Sequence, residues 1–232
     1  MKIACWSGPR NLSTAMMYSF ANRADFRVMD EPFYAPYLRT TGLPHPMAEQ
    51  IIATHEHDWD KAATLCAEDG DPHVYQKHMC HHILERTPMR WAQDATHIFL
   101  IRHPARVLAS YQDKREAVTL EDIGALQQIE LYEELGGIVI DSADIRANPE
   151  AMLTALCAAL DLDFDPAMLA WPAGGIDADG IWAQHWYNAV HKSTGFSGAE
   201  RPLPDLAGTL AEICEEALPA YAILRTQRVL PY

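Results

Sequence analysis

The sequence has no cysteine pair spaced as CxxC. Its five cysteines, Cys5, Cys66, Cys80, Cys157 and Cys214, are scattered and odd in number, which argues against a disulfide framework or a structural zinc site and points to a reducing, cytoplasmic setting. Long apolar runs are equally missing. None reaches the roughly 18 residues that a membrane span needs, and the opening MKIACWSGPR is broken at Gly8 and Pro9 too early for a signal peptide. The chain therefore reads as soluble, with no membrane partner. Positive charge is scarce: 18 Lys and Arg against 32 Asp and Glu give a net charge of −14, which excludes a general affinity for nucleic acid. Any polyanionic ligand needs a local basic site built against that field. Internal repeats, low-complexity tracts and linkers are absent. With 232 residues, 49% of them hydrophobic, the chain is long enough to bury a core and is expected to form one domain over residues 1–232.

What is present is alternation. Lys2 to Trp6, Arg27 to Asp30, His73 to Met79, Thr96 to Ile101 and Ile138 to Asp141 read as strands, the fourth of them continuously apolar as central parallel strands tend to be. Helices are expected over Ser13–Asn22, Met47–Glu68, Glu85–Asp94, Ala105–Ala117, Glu121–Leu135, Pro149–Leu160 and Leu210–Thr226. The stretch Pro36 to Pro46 reads as a surface excursion, and Asp69-Gly70-Asp71-Pro72 as the stop of the second helix. Strands alternating with helices imply right-handed crossovers and an α/β fold, a mostly parallel sheet with helices on both faces. Ligands of such sheets sit at the carboxyl ends of the strands.

Two of those ends carry chemistry. After the first strand comes Ser7-Gly8-Pro9-Arg10-Asn11-Leu12-Ser13-Thr14, a turn opening into a helix whose unpaired amides and dipole offer an anion site. Arg10, Ser13 and Thr14 add a cation and two hydroxyls. It is not a Walker A loop, because Ser13 and Thr14 stand where that pattern has its second glycine and its lysine. The plainer alternative is that Asn11 or Ser13 only caps the helix. After the fourth strand, Arg102-His103-Pro104 leads into a helix that carries Arg106 and Ser110 on one face. Arg102 and Ser110 would hold a phosphate from two sides, by a planar fork and a hydroxyl, unless Arg102 is merely solvated.

Together these stretches resemble the sulfotransferase family, enzymes that use 3′-phosphoadenosine 5′-phosphosulfate as co-substrate. Gly8, Pro9, Arg10, Asn11, Leu12, Ser13 and Thr14 are similar to that family's loop for the 5′-phosphosulfate, although the family often has Lys at the place of Arg10 and Gly at that of Leu12. Arg102 and Ser110 resemble its 3′-phosphate clamp, and His191-Lys192-Ser193-Thr194-Gly195-Phe196 its nucleotide-closing loop, with Lys192, Ser193 and Gly195 as contacts. The stretch Asp30-Glu31-Pro32-Phe33 brings the chain closer to bacterial members than to animal cytosolic ones. The resemblance implies a P-loop-type fold and in-line transfer of a sulfuryl group to a hydroxyl or amine of a small-molecule acceptor, with no metal.

Under that reading Arg10 neutralises the leaving group and Lys77 adds charge on the sulfuryl oxygens. The base is Glu31 or His78, with Glu31 favoured. His78 resembles the base of animal members, but Lys77 and His78 are adjacent on a strand, so only one of them faces the site. His78, Cys80, His81 and His82 fit no strong zinc pattern, and His55 and His57 read as solvated surface. Phe33, Tyr34, Tyr37, Trp171, Trp182, Trp186 and Tyr187 either line an acceptor pocket or belong to the core. Two other readings remain open: a kinase of the same sheet topology, using Asp30 to hold Mg²⁺, and a non-catalytic nucleotide-binding or interaction protein.

Overall fold

Lys2–Ser7 (β1) is buried at every position, and Ile3-Ala4-Cys5-Trp6 suits a strand covered on both faces. In the computed structural model, which describes residues 1–69, 71–112 and 118–231, β1 is the middle of a five-stranded parallel sheet. The other strands are Phe26–Asp30 (β2), His73–Met79 (β3), Thr96–Ile101 (β4) and Ile138–Asp141 (β5), in the order β2-β3-β1-β4-β5. Chain direction across the sheet reverses at β1, so the loops after β1 and β4 meet over the crevice where ligands of doubly wound sheets bind.

Side-chain alternation divides the core into two layers. Ile3, Cys5, Tyr75, Ile98, Leu100 and Ile140 face one, packed by Ser13–Ala21 (α1) and by Tyr34–Thr41 (α2). Ala4, Trp6, Phe99, Ile101 and Val139 face the other.

The strands and the long helices stand where the sequence puts them, and four segments differ. Pro36–Pro46 is not a free excursion: α2 occupies its first half. Pro36 lies in the first turn, where its missing N–H costs nothing, and Gly42 at φ 65° ends the helix. The helix expected over Met47–Glu68 is two, Ala48–Thr54 (α3) and Trp59–Ala67 (α4). Asp58 restarts the chain by accepting the amides of Asp60 and Lys61, an N-cap hidden among polar residues. Of Glu85–Asp94 only a 3₁₀ turn over Arg90–Asp94 forms, since Pro88 keeps Thr87 out of the helical region. Beyond Pro104–Gln112 (α5), the expected continuation to Ala117 lies outside the described residues, as does Gly70. Gly124, at φ 65°, splits the next helix into Leu120–Ile123 (α6) and Ala125–Leu135 (α7). Ser142–Ala147 (α8), Pro149–Ala159 (α9), Ala183–Trp186 (α10), Asn188–His191 (α11) and Thr209–Thr226 (α12) complete the chain. Among the described residues no helix is long and apolar enough to cross a membrane.

Candidate active site

The loop after β1 is shaped by close approach. A Cβ on Gly8 would stand 2.3 Å from the carbonyl oxygen of Ile123, so Gly8 packs the loop against α6 and does not itself face the crevice. Gly8→Ala is expected to destabilise the fold by about 1–3 kcal/mol through forced backbone movement, read from the urea midpoint. Arg10 and Leu12 then take left-handed backbone, at φ 58° and 64°. That is a conformation glycine adopts freely and a leucine adopts only under strain.

Neither Asn11 nor Ser13 caps α1: its first turn has no side-chain cap. Asn11 instead donates Nδ2 to Leu100 O at 2.5 Å, and Gln128 Nε2 donates to both Trp6 O and Leu100 O at 3.0 Å. These bonds hold the loop while Pro9, Arg10, Asn11, Leu12, Ser13 and Thr14 stand on the wall of a cavity of about 390 Å³.

The two phosphate motifs are joined. Arg10 Nε donates to Ser110 Oγ at 3.0 Å, and Arg102 Nη1 donates to Arg10 O at 2.6 Å. Arg102 and Ser110 line the same cavity, so a cation from each loop, a hydroxyl and the uncapped end of α1 converge on one space.

A third group reaches that space from β2 and β3. Glu31 follows β2 with φ 46°, a strained conformation for a non-glycine residue and one that clusters at functional sites. The strain is held by the sheet, because Glu31 N donates to Lys77 O at 2.9 Å, one step past the β2–β3 ladder. Lys77 is 1% exposed, and its ammonium donates to Asp30 Oδ1 at 2.9 Å, to Tyr187 OH at 2.6 Å and to Glu31 Oε1. All three hydrogens are committed, so Lys77 has none left for sulfuryl oxygens. It positions Glu31 instead.

Asp30 is equally occupied, accepting from Lys77, Tyr187 OH, Trp182 Nε1 and the amide of Gly180. It has no free face for the Mg²⁺ of the kinase reading. Two carboxylates thus share one ammonium. Burial pushes the Glu31 carboxyl above the ordinary carboxylate range; Lys77 pulls the other way and Asp30 adds to the rise. Burial alone would lower Lys77, but the two carboxylates outweigh it and hold the ammonium up. The pocket places the Glu31 carboxylate beside the loops that follow β1 and β4.

Residues 1–228 match the sequence family described as Sulfotransferase domain. This chain belongs to that family. Branched-chain-amino-acid aminotransferase-like protein 2 of Arabidopsis thaliana is 34% identical over 96% of the chain, which spans 41% of that protein's length. Two solved structures share the fold. The sulfotransferase domain from the curacin biosynthetic pathway has a TM-score of 0.59 at 14% identity, with 99% of this chain and 98% of that one covered. The sulfotransferase domain from the Synechococcus PCC 7002 olefin synthase has a TM-score of 0.55 at 18% identity, with 96% and 94% covered.

Within this sulfotransferase domain several expected residues stand elsewhere. His78 is on the opposite face of β3 from Lys77, stacked on Trp6 at 4.5 Å and on Trp91 at 5.0 Å between ring centroids, and it does not line the cavity. Burial, then His97 and Lys77, push it down to about 3, so it is a neutral core ring and cannot reach an acceptor. Lys192 is exposed and off the cavity wall, whereas Ser193 and Gly195 are on it. Ser193 Oγ is already bonded to Trp171 Nε1 and Val190 O.

His78 and Cys80 lie in the layer behind the sheet while His81 and His82 line the pocket, and no metal-binding group is found among the described residues. His55 is half-buried rather than fully solvated, its ring 4.8 Å from that of Trp182. Of the seven aromatics, Tyr34, Trp186 and Tyr187 line the cavity and the others are core. The role of Tyr187 as the hydroxyl facing both Asp30 and Glu31, at 2.8 and 3.1 Å, has no local signal, because these partners lie more than 150 positions away.

Proposed function

We propose that this protein is a sulfotransferase that moves a sulfuryl group from 3′-phosphoadenosine 5′-phosphosulfate to a hydroxyl or amine of a small-molecule acceptor, with Glu31 taking the acceptor's proton. The observation that carries the reading is the shared cavity. The loop from Pro9 to Thr14, the pair Arg102 and Ser110, and Glu31 all open into one space of about 390 Å³, whose remaining wall includes Tyr34, Trp186, Tyr187 and Phe196.

Arg10 and the amides at the start of α1 stabilise charge developing on the bridging oxygen of the donor, and Arg102 with Ser110 holds its 3′-phosphate. Glu31, fixed by Lys77 and Tyr187, faces the acceptor side as the base. The aromatic wall suits an acceptor with a flat apolar surface. All five cysteines are free and buried, which fits the reducing conditions of the cytoplasm, where we place the protein.

Adenosine 3′,5′-bisphosphate is expected to raise the melting temperature without divalent metal. At a hundred times its Kd the stabilisation is about 2.7 kcal/mol. Arg102→Ala should raise that Kd roughly ten- to a hundredfold, the cost of losing charged hydrogen bonds. A protein that responds only to ATP with Mg²⁺, or to neither nucleotide, would overturn the assignment.

A further inference from the structure

Three guanidinium groups converge on one point beside the cavity. Arg102 directly follows β4, Arg106 is in the first turn of α5 and Arg146 is in α8, and all three are mostly buried, with side chains 17%, 16% and 22% exposed. What they meet is a carboxylate. Glu200 Oε1 accepts from Arg102 Nε at 3.0 Å, from Arg102 Nη2 at 2.7 Å and from Arg146 Nη1 at 3.1 Å, and Oε2 lies 2.5 Å from Arg106 Nε. The Glu200 side chain is 4% exposed.

A single carboxylate leaves this group two positive charges in excess, in a protein whose net charge is −14. Packing three like charges together is unfavourable unless an anion of matching charge occupies the centre. Forked donors of this kind match the oxygens of a phosphate monoester better than those of one carboxylate. The segment that brings Glu200 in, residues 197–208, contains no helix or strand. It is tied down by the same arginines, through Gly198 O to Arg146 and Arg201 O to Arg106. Its first residue, Ser197, stands on the cavity wall together with Arg102.

We infer that Arg102, Arg106 and Arg146 form a binding site for a phosphate monoester dianion in which Glu200 is a resident internal anion, expelled with its segment when the ligand enters. The inference rests on the donor reading above, since it takes the 3′-phosphate as that ligand, and it adds two arginines and a competitor to the site. Glu200 lowers the apparent affinity by the fraction of molecules in which it is still seated. A nucleotide without the 3′-phosphate has no need to expel it, so the segment discriminates between donors at the step of entry.

Calorimetric titration of wild type, Glu200→Gln and Arg146→Gln with adenosine 3′,5′-bisphosphate and with adenosine 5′-monophosphate tests this. Glu200→Gln should bind the bisphosphate roughly tenfold more tightly, and Arg146→Gln roughly tenfold more weakly, with the monophosphate unchanged in both. In the wild type, the bisphosphate should speed cleavage after Glu200 by a glutamate-specific protease, and the monophosphate should not. Glu200→Gln binding the bisphosphate no better than wild type, or ligand slowing that cleavage, would overturn the displacement while leaving the donor reading intact. If no form of the protein binds either nucleotide, the donor reading falls and this inference falls with it.

Discussion

Glu31→Gln is expected to lower kcat by about 10²–10⁴, the usual contribution of a positioned base, while the Kd for adenosine 3′,5′-bisphosphate stays within twofold or so of wild type, since the substitution is nearly isosteric and lies away from the phosphate clamps. His78→Phe, by contrast, should keep most of the rate, because His78 is a stacked ring in the layer behind the sheet. The pH profile separates the two residues further. Burial raises the Glu31 carboxyl, and Asp30 raises it further against the pull of Lys77. The rate should therefore fall as pH drops through a value above the ordinary carboxylate range, and this acid limb should vanish in Glu31→Gln. Single-turnover rates from pH 4 to 9 check it. A rate unaffected by Glu31→Gln but abolished by His78→Phe would reverse the assignment.

The second large effect is on stability. Lys77→Met removes the ammonium between Asp30 and Glu31 and leaves two carboxylate side chains, 1% and 9% exposed, facing each other in the interior. Breaking a buried ion cluster by removing one partner costs about 3–5 kcal/mol, and the urea midpoint should fall accordingly. The sign with pH follows from linkage. Burial and the facing Asp30 already raise the Glu31 carboxyl, and without Lys77 nothing opposes them, so the stability that protonated Glu31 contributes is present at low pH and is lost as pH rises. The deficit of the variant should be largest at neutral pH and shrink in acid. A deficit that grows in acid, or a midpoint unchanged at pH 7, would show that Lys77 is not holding the two carboxylates together.

Sequence reading reached the parts of the site that are contiguous in the chain. Gly8 to Thr14 and the Arg102–Ser110 spacing each join a strand end to the following helix, and local chemistry made them candidates for holding an anion. It also showed that adjacent Lys77 and His78 face opposite ways, but not which faces the crevice. β3 is buried on both sides, so no polar–apolar alternation distinguishes its faces. Tyr187 was legible as a candidate aromatic of the pocket, but its hydroxyl's partners, like Glu200 and Arg146, were not, because they arise from contacts across the fold: Tyr187 meets Glu31 from 156 positions away and Glu200 meets Arg102 from 98. The misplaced helices have smaller causes, each a single residue whose local preference ran against the surrounding pattern, as with Pro36 in α2, Asp58 at the start of α4 and Gly124 before α7.

Arg10 and Leu12 hold left-handed backbone without being glycines, and each costs about 1–2 kcal/mol relative to a relaxed conformation. The fold offsets that cost through two side-chain amides, Asn11 within the loop bonded to Leu100 O and Gln128 on α7 bonded to Trp6 O and Leu100 O. A loop built this way arrives already shaped, so little ordering entropy opposes the capture of an anion. If the loop holds the donor as proposed, its grip depends also on a residue that does not touch the cargo: Gln128→Ala, which frees Trp6 O and Leu100 O, should weaken binding of adenosine 3′,5′-bisphosphate in a calorimetric titration.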